Sequence, residues 1–525
     1  MILEIVLVIL TLILLLYRYV TKNFDHWKKK GVPHIQGVFP CGSHTEILTQ
    51  GKHISVLVKE DYEKFKEKDF FGIYMLGKPA LVVKNIDMIR NIMVKDFNHF
   101  VDRNGESMRQ WAQGGDMDQL WAKGMSELCG EHWKDVRSSF SPIFTSGKMK
   151  GMLKFIAEVG QSLKKDFHKL AESGQDFELK EEFGKFSLDS LACCAFGLNP
   201  KSFEDNSGVF AKYAASVFQV SVLDNIKIMT RFLPGSVFLQ QKLNINFFKP
   251  KETKYFKDII LKTIQHRRET GVRVNDLIDL MLDCMKPAGN VEKADIDEPE
   301  DVHLKHHKKF VELNEDIIVS NCLLFLVAGY DTTGMTLAVM GYFLSKYPLV
   351  QTKLQEEIDQ AFEENGGLLP EYQVIQELPY LEMCIMESLR MYSPAGALFR
   401  TCTKDYTFPE TNVSVMKDDL IILPVIGIHS DESYYPNPEE FNPENFSKEA
   451  KALRSPYTFL GFGQGPRGCI GMRFALLEAK VAMIEILHSF SFVYSNKNPE
   501  VLELDPSSET GYIKGGLFAK IQKRC

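Results

Sequence analysis

The stretch GQGPRGCIG, residues 463–471, constrains the fold of this chain more than any other segment. Gly463, Gly465 and Gly468 match the G-x-G-x-x-G spacing of a dinucleotide-binding turn. Such a turn needs a preceding strand, a surrounding βαβ unit and an acidic residue about 20 positions later. Here Pro466 stiffens the turn, and the segment lies near the C-terminus without that context. A dinucleotide-binding domain is therefore disfavoured.

Cys469 gives the same segment a different chemistry. The surrounding glycines let the backbone approach a flat ligand, and the cysteine stands where the loop enters a helical pattern. Helix N-termini stabilise negative sulfur, and Arg467 adds a positive charge suited to a carboxylate or to the thiolate. Phe462 is placed to shield the sulfur from water. A lone cysteine at a helix start is more often a small buried apolar residue, so its assignment depends on the surroundings.

The pattern Phe462-x-x-Gly465-x-Arg467-x-Cys469-x-Gly471 resembles the haem-binding signature of the cytochrome P-450 superfamily, the haem-thiolate monooxygenases. Its five fixed residues make the pattern specific. The resemblance implies that Cys469 is the proximal ligand of the haem iron, where a thiolate favours cleavage of the O–O bond. It also implies a mainly α-helical fold with small β-sheets, with the haem between a long central helix and the helix after the cysteine loop.

A second motif, AGYDTT at residues 328–333, interrupts an otherwise apolar helical pattern. Asp-Thr-Thr-Gly in a buried helix contradicts helix propensity, and such local inconsistency indicates a functional site. The motif resembles the oxygen-activation motif of the family, which implies that Asp331 and Thr332 deliver protons. A polar helix face is the alternative interpretation of the motif taken alone.

Glu387 and Arg390 resemble the buried ion pair of the family, although their i, i+3 spacing alone is typical of a surface salt bridge. The apolar setting LEMCIMESLRMYSP favours burial and a structural role that holds the cysteine loop. Asn445 stands where the third member of this network is usually an arginine. We therefore expect an amide to close the network, or the network to be weaker.

Trp133 and Arg137 resemble the haem-contacting helix of the family. One helical turn separates an indole N–H from a guanidinium, which suits hydrogen bonds to one haem propionate. Arg400 and Arg103 stand where relatives supply further propionate contacts, although each arginine alone is equally typical of a surface cation. The complete haem-contacting set implied by the resemblance is Arg103, Trp133, Arg137, Arg400, Phe462, Arg467 and Cys469.

Residues 2–20, ILEIVLVILTLILLLYRYV, form an apolar run that would be about 28 Å long as a helix. This length nearly spans a bilayer core. A signal peptide would show a basic region before the run and a small-residue cleavage site after it, so an uncleaved anchor is favoured. Arg18, Lys22 and residues 28–30 follow the run, and the positive-inside rule then places the rest of the chain in the cytosol. A buried core helix is the less favoured alternative.

The chain therefore divides into an anchor over residues 1–20, a basic Gly/Pro linker over 21–44 and a catalytic domain over 45–525. Residues 70–93 predict two strands around a Gly-Lys-Pro turn, followed by a helix. Strand patterns near residues 405–424 are short. Amphipathic helices are predicted over residues 152–172, 250–268, 313–345, 350–364 and 378–391.

Composition narrows the function. A net charge of -7 and a pI near 6.1 do not support a nucleic-acid partner, which would require a basic surface. The chain has 10 cysteines without a C-x-x-C pair. Zinc ribbons are therefore disfavoured, and reduced, mostly buried thiols in a reducing compartment are favoured.

The segments SPIFTSGKMKGM and GMRFALLEAK most resemble the microsomal clan 3 of xenobiotic and lipid oxidisers. The resemblance implies a monooxygenase of the endoplasmic reticulum membrane that inserts one atom of O2 into a lipophilic substrate. Its cofactor would be haem b with a cysteine thiolate. NADPH would act indirectly through NADPH-cytochrome P-450 reductase, with cytochrome b5 as a further electron donor and membrane lipid as a further partner.

Surface and pocket residues follow from the same resemblance. The candidate reductase contacts are Lys134, Lys448, Lys451 and Arg454. The alternative is that these residues are solvated surface cations without such a role. Residues expected to line an apolar substrate pocket are 104–121, 216–223, Phe325, Ala328, 397–399 and 517–518.

Two alternatives remain open on the sequence. One is a haem-thiolate isomerase of oxygenated lipids that needs no reductase, and the other is a haem sensor or lipophile-binding protein without turnover. Asp331 and Thr332 favour the monooxygenase, because binding alone does not require proton delivery and such isomerases tend to lack the acid–alcohol pair. Turnover without NADPH would separate the isomerase from the monooxygenase.

Overall fold

The computed structural model describes residues 2–75, 77–105, 109–204, 208–217, 219–233, 235–283, 314–409, 411, 413–508 and 510–524. These residues form a mainly helical fold with small sheets, so the predicted fold class is confirmed.

Helices occupy most of the described chain. The first group is α1 (Ile2–Thr21), α2 (His26–Lys29), α3 (Glu46–Thr49), α4 (Ile54–Lys64), α5 (Ile86–Arg90), α6 (Asp116–Trp121) and α7 (Gly130–Phe140). The second group is α8 (Ser146–Ser173), α9 (Leu179–Phe196), α10 (Val209–Ser216), α11 (Val222–Arg231), α12 (Ser236–Lys242), α13 (Pro250–Thr270) and α14 (Leu277–Asp283). The last group is α15 (Glu315–Lys346), α16 (Pro348–Glu364), α17 (Tyr372–Gln376), α18 (Pro379–Met391), α19 (Val425–His429), α20 (Lys448–Ala452) and α21 (Met472–Leu487).

The strands are short and form three sheets. They are β1 (Phe70–Met75), β2 (Lys78–Val83), β3 (Phe177–Glu178), β4 (Leu398–Thr401), β5 (Tyr406–Thr407), β6 (Ser414–Val415), β7 (Leu420–Leu423), β8 (Phe490–Tyr494) and β9 (Phe518–Lys523). The strand orders are β1-β2-β7-β4, β3-β9-β8 and β5-β6. Strand β2 pairs with β7 in parallel, whereas β4 pairs with β7 antiparallel. The first sheet therefore joins distant parts of the sequence beside the cysteine loop.

The predicted helices agree with α8, α13, α15, α16 and α18, and the predicted hairpin agrees with β1 and β2. Helix α8 begins at Ser146, six residues before the predicted start. The prediction began only at Met152, but Met149 in the preceding turn is already buried. Lys78 and Pro79 belong to β2 rather than to the turn.

Helix α15 is the long central helix of the fold. It has 32 residues, and Asn314 caps its first turn by accepting a hydrogen bond from the Ile317 N–H. Gly334 of α15 faces Gly184 of α9, where an added Cβ would lie 3.3 Å from the Gly184 Cα. The two glycines therefore let α9 and α15 cross closely beneath the centre of the molecule.

Two helices are long and apolar enough to cross a membrane among the residues described: α1, with mean hydropathy 2.3, and α15, with 1.5. Most of α15 is buried in the protein, whereas the apolar residues of α1 are exposed apart from its last turns. The segment after α1 does not extend away as a free linker. Trp27 is buried, and its indole N–H donates to the Ile73 carbonyl across 3.0 Å, so the basic segment lies on the first sheet.

Candidate active site

A cavity of about 550 Å³ lies between α15 and the loop before α21. Cys469 lines one side of it, while Ala328 and Thr332 of α15 line the cavity from another element. Residues of β4, including Phe399, form part of the wall. The cavity thus brings together the cysteine loop, the AGYDTT motif and the first sheet.

The glycines of the cysteine loop make a tight turn against the rest of the protein. Gly463 and Gly465 both have φ near 69°, in the left-handed region that favours glycine. A Cβ on Gly465 would collide with the backbone at Met93, in a π-helical turn that continues α5. The Cys469 N–H donates to the Phe462 carbonyl across 2.8 Å, so this amide is used within the loop. The glycine spacing therefore serves loop packing and not a nucleotide.

The Cys469 side chain is accessible, and its accessible surface faces the cavity. Burial raises the pKa of this thiol, although a hydrogen bond from the Gly471 backbone and the charges of Arg137 and Arg103 oppose that rise. Desolvation of the sulfur and the positive charges around it therefore act on this thiol in opposite directions. Arg137 and Arg103, rather than Arg467, are the cations that act on the sulfur.

Arg467 is a structural residue as well as a cavity residue. Its guanidinium donates to the carbonyls of Val101 and Leu128 across 2.9 and 2.7 Å, and it lies 3.8 Å from the centroid of the Trp133 ring. Burial lowers its pKa strongly, and the charges of neighbouring arginines lower it further. Arg467 therefore fixes the loop and also contributes positive charge to the cavity wall.

The other three predicted arginines converge on the same cavity. Arg103 donates to the Arg467 carbonyl across 2.9 Å, and Arg137 donates to the Gly468 carbonyl across 3.1 Å. Arg400 is only 2 % exposed, and its Nε has no hydrogen-bond partner among the described residues. Burial, followed by repulsion from Arg103, lowers the pKa of Arg400 to about 9. Trp133 and Phe462 also line this cavity.

The balance of charge in this arginine cluster fits a dianionic ligand. Four guanidinium groups, those of Arg103, Arg137, Arg400 and Arg467, line the cavity together with one carboxyl group, that of Glu127, so cations predominate in its polar lining. Buried charge without compensation is costly, so a ligand with two carboxylates would stabilise the cluster. The two propionates of haem supply that charge.

The side chains around the Cys469 sulfur fit an iron ion whose other ligands belong to its cofactor. Among the residues described, no group of three or more His, Cys, Asp or Glu side chains is placed to hold a metal ion. Cys469 therefore offers one bond to a metal, and the remaining ligands must come with the metal, as in a porphyrin. The residues present fit haem on both counts.

Asp331 and Thr332 face different directions. Thr332 lines the cavity, and its hydroxyl donates to the Ala328 carbonyl across 2.7 Å. Asp331 does not line the cavity; its carboxylate lies 2.8 Å from the Lys180 ammonium of α9 and accepts a short hydrogen bond from Thr510. Burial would raise the pKa of Asp331, but the Lys180 charge prevails and the pKa is lowered.

Two functional side chains escape the sequence motifs. Lys180, buried in α9, neutralises Asp331, and burial opposes but does not outweigh the rise in its pKa caused by that carboxylate. Glu478 of α21 is fully buried near Ser187 and Thr333, and burial raises its pKa well above the usual range. The sequence signal for Glu478 was a charged residue between apolar neighbours, whereas Lys180 stands in the charged run LKEE and gave no signal.

Glu387 and Arg390 form a fully buried, bidentate ion pair with N–O distances of 2.7 and 2.8 Å. The Asn445 side chain donates to the same carboxylate across 3.1 Å, so an amide does close the network here. Arg454 donates a short hydrogen bond to the Asn445 carbonyl and stacks 4.4 Å from the centroid of the Tyr435 ring. The arginine is thus held against this network and is not a free cation at the surface.

His429 connects this ion pair to the cysteine loop, and the sequence motifs do not indicate it. Arg390 donates to the His429 carbonyl across 2.8 Å, and the imidazole accepts from the Leu460 N–H across 2.9 Å. The ring stacks on Phe459 with centroids 5.2 Å apart. Burial and then the Arg390 charge lower the pKa of His429 to about 3, so the neutral ring is available as an acceptor.

The expected pocket residues divide into two groups. Phe325, Ala328 and residues 397–399 line the cavity, and Phe325 is wedged against Phe144 with ring centroids 5.7 Å apart. Residues 517–518 do not line it, because Leu517 accepts a backbone hydrogen bond from Leu179 and Phe518 starts β9. Within the expected segments, residues 106–108 and Phe218 lie outside the described residues.

The candidate reductase contacts differ in their availability. Lys448 and Lys451 are exposed on α20. Lys134 lies 2.8 Å from Glu131 in an i, i+3 ion pair, and the Arg454 guanidinium is engaged as described above. Lys448 and Lys451 therefore remain the candidates with accessible charge.

Comparison with known proteins agrees with this geometry. The sequence model of the family described as Cytochrome P450 matches residues 40–512. Cytochrome P450 6k1 of Blattella germanica is 32% identical over 512 residues, covering 97% of this chain and 95% of the relative. Cytochrome P450 6B2 of Helicoverpa armigera is 31% identical over 517 residues, 98% of each chain. Cytochrome P450 9e2 of Blattella germanica is 30% identical over 530 residues, covering 98% of this chain and 96% of the relative.

Proposed function

The chain belongs to the cytochrome P450 family, and we propose that it oxidises lipophilic substrates at the endoplasmic reticulum membrane with electrons that NADPH supplies through its reductase. The resemblance stated from the sequence, including its clan 3 character, is confirmed by the insect CYP6 and CYP9 relatives. The chain is a haem-thiolate monooxygenase, and in this family a reductase passes electrons from NADPH to the haem.

One observation carries the assignment of this site. The Cys469 thiol and four arginine guanidinium groups meet in one cavity that otherwise has mostly apolar walls. Haem would take one bond from the Cys469 thiolate to its iron and would present two carboxylates to the arginines. Cys469 would hold the iron, and Arg103, Arg137, Arg400, Arg467 and Trp133 would hold the propionate edge.

Bound haem supplies the oxygen activation and electron transfer that amino-acid side chains cannot perform. The chain supplies the environment for that chemistry. The buried cluster at Glu387 and Arg390 fixes the loop through His429 and Leu460, so the sulfur is held in one place. Phe462 covers the loop on the side of the cavity and limits access of water to the thiolate.

Thr332 and Asp331 would deliver protons in two stages. The Thr332 hydroxyl faces the cavity, so it is the group that can hold a proton donor there. Asp331 is one residue away on the same helix and is held toward Lys180 and Thr510. The Asp331 carboxylate could take a proton from the Lys180 ammonium, whose N–H bond breaks as the Asp331 O–H bond forms; rotation of the carboxyl group would then carry that proton toward Thr332, and solvent would reprotonate Lys180.

The cavity walls support a lipophilic substrate. Leu324, Phe325 and Ala328 of α15 and Ala397, Leu398 and Phe399 near β4 present apolar surface opposite the cysteine loop. Such a wall selects apolar molecules by size and shape, with weak discrimination among them. Helix α1 supports attachment to the membrane, with the domain over residues 45–525 in the cytosol, where reductase and cytochrome b5 would dock on the α20 side.

A carbon monoxide difference spectrum of the reduced protein tests this proposal, with Cys469→Ser beside the wild type. We expect a strongly red-shifted Soret band in the wild type and its loss in the variant. A Soret band typical of histidine-ligated haem in the wild type would overturn the ligand assignment. Cys402→Ser is the matched control, because Cys402 is buried away from the cavity and its loss should leave the spectrum unchanged.

Turnover distinguishes the alternatives. Product formation should require NADPH and reductase. Rearrangement of an oxygenated lipid without NADPH would support the isomerase instead, and tight lipophile binding without any product would support the sensor.

A further inference from the structure

A second cavity, of about 280 Å³, lies at the end of the apolar helix and is separate from the active site. Four parts of the chain enclose it: the last turns of α1, α3 with the segment before it, the turn between β1 and β2, and the end of α11 with the residues that follow. The established reaction uses none of these residues. We therefore asked which ligand the cavity fits.

The walls of this cavity are held in place by direct contacts. The Tyr19 hydroxyl donates to the Phe232 carbonyl across 3.1 Å, and the Asn23 amide donates to the Gly77 carbonyl across 3.1 Å. Gly77 has φ near 78°, and a Cβ there would lie 2.7 Å from the Val20 carbonyl oxygen. The end of α1 is thus fastened both to the hairpin and to the segment after α11.

Most of the cavity wall is apolar. The apolar side chains come from α1, from α3 and the segment before it, and from α11 and the residues after it; they are Leu16, Phe39, Leu48, Ile226, Met229 and Leu233. A wall of this kind accommodates a hydrocarbon chain and excludes a hydrated ion alone.

Two lysines interrupt this wall. The Lys78 ammonium lies 5.1 Å from the centroid of the Phe232 ring, and the Lys22 ammonium lies 4.6 Å from that of Tyr19. Burial lowers the pKa of Lys78 to about 8, Asp418 opposes this, and the charge of Lys22 lowers it further. Both lysines therefore line the cavity, and an anion bound there would be attracted to both ammonium groups. The negative end of α1 explains a cation at Lys22, but Lys78 belongs to β2.

The position of the cavity indicates where the anion comes from. Helix α1 has 20 residues and spans about 30 Å, the thickness of a bilayer core. Its last turns, and with them Lys22, therefore lie at the depth of the lipid headgroups. Beside the cavity, α11 exposes Leu223 and Ile226 at 61% and 44%. Anionic lipids of the cytosolic leaflet are attracted to lysines at this depth.

We propose that this cavity binds one anionic phospholipid, with its phosphate between Lys22 and Lys78 and the first part of an acyl chain against Ile226 and Met229. The proposal rests on the membrane attachment in the proposed function. The lipid would join the anchor, the hairpin and α11 into one unit at the membrane surface. It would therefore set the orientation of α11 relative to the bilayer.

Native mass spectrometry of the full-length holoenzyme tests the site, with dioleoyl phosphatidylserine and dioleoyl phosphatidylcholine titrated separately in detergent. We expect the wild type to retain one phosphatidylserine at concentrations where it retains no phosphatidylcholine. Lys78→Gln and Lys22→Gln should each weaken this retention about tenfold, the size of one charge-assisted contact. Met229→Trp fills the cavity without changing charge and should also abolish retention.

Lys28→Gln is the matched control, because Lys28 is exposed near the same end of α1 but does not line the cavity. Equal losses in Lys28→Gln and Lys78→Gln would overturn the site in favour of general surface charge. Equal retention of the two lipids, or displacement of the lipid by inorganic phosphate, would overturn the lipid assignment. Flotation with liposomes, measured on the same samples, tests membrane attachment separately: a wild type that floats but retains no phosphatidylserine contradicts this proposal alone.

Discussion

Two sets of buried arginines lie on either side of the cysteine loop, and they are neutralised in different ways. Arg390 is 1% exposed and has a bidentate carboxylate, Glu387, and the His429 carbonyl for its donors. In the arginine cluster, Arg400 and Arg467 are 2% and 3% exposed, and four arginines share the cavity lining with one carboxyl group, that of Glu127. The first set is neutralised within the protein, whereas the proposed function has the propionates of haem neutralise the second. Burial of a charge therefore indicates a ligand only where its neighbours leave it uncompensated.

The largest expected effect comes from breaking the first set. Glu387→Gln leaves Arg390 buried without its counter-charge, which costs about 3–5 kcal/mol of the free energy of unfolding. We expect little folded holoprotein, measured by the thermal unfolding midpoint and by the yield of thiolate-ligated haem. Glu444→Gln is the control, since the Glu444–Lys353 pair is exposed at 51% and 56% and contributes about 0–1 kcal/mol. Equal stability of the two variants would contradict the assigned role of Glu387.

Removal of one positive charge from the arginine cluster should leave the stability of the apoprotein unchanged or raise it. Arg400→Met relieves repulsion with Arg103, so the apoprotein should unfold at the same temperature as the wild type or above it. Haem should bind about 1.5–3 kcal/mol more weakly, because one charge-assisted hydrogen bond is lost. The extent to which each holoprotein loses haem to an added haem-binding apoprotein measures this weakening. Arg268→Met, at an exposed ion pair, is the control; destabilisation of the apoprotein by Arg400→Met would remove the contrast between the two sets.

Glu478 extends the comparison from buried arginines to a buried acid. Its expected effect on the free energy of unfolding is smaller. Its pKa in the folded protein is raised, so the folded state keeps a proton that the unfolded state releases. The free energy of unfolding should therefore fall as the pH rises above the unfolded pKa, by about 1 kcal/mol between pH 5 and pH 6. Glu478→Gln should remove this slope, measured by denaturant unfolding at each pH. Parallel slopes in the two proteins would show that Glu478 ionises in the folded state.

The sequence predicted the parts of this molecule that depend on local pattern. The periodicity of residues 313–345 was sufficient for α15, and the spacing around Cys469 was sufficient for the cysteine loop. The direction of Asp331 was not predictable, because it depends on Lys180, 151 residues away, and on Thr510, 179 residues away. The desolvation of the Cys469 sulfur was not predictable either, since a helix end is visible in the sequence and the depth of burial is not.

His429 and Glu478 are two further residues whose roles the sequence motifs do not predict. Neither residue belongs to a spaced motif, and both act through contacts with elements distant in the chain. The basic segment before α3 reads as a linker by its Gly and Pro content, yet Trp27 fastens it to β1. Composition describes the local stiffness of such a segment, but its packing depends on which surface is offered by the rest of the fold.

The hydrogen bond from Arg103 to the Arg467 carbonyl joins residues 364 positions apart, and this separation has a consequence for the order of events on the ribosome. At about 5–20 residues per second, the ribosome needs roughly 20–70 s to reach the second residue after the first. During that interval the early arginines have been synthesised while the cysteine has not. The complete cofactor site therefore cannot form until the ribosome has passed Cys469, late in the synthesis of the 525 residues.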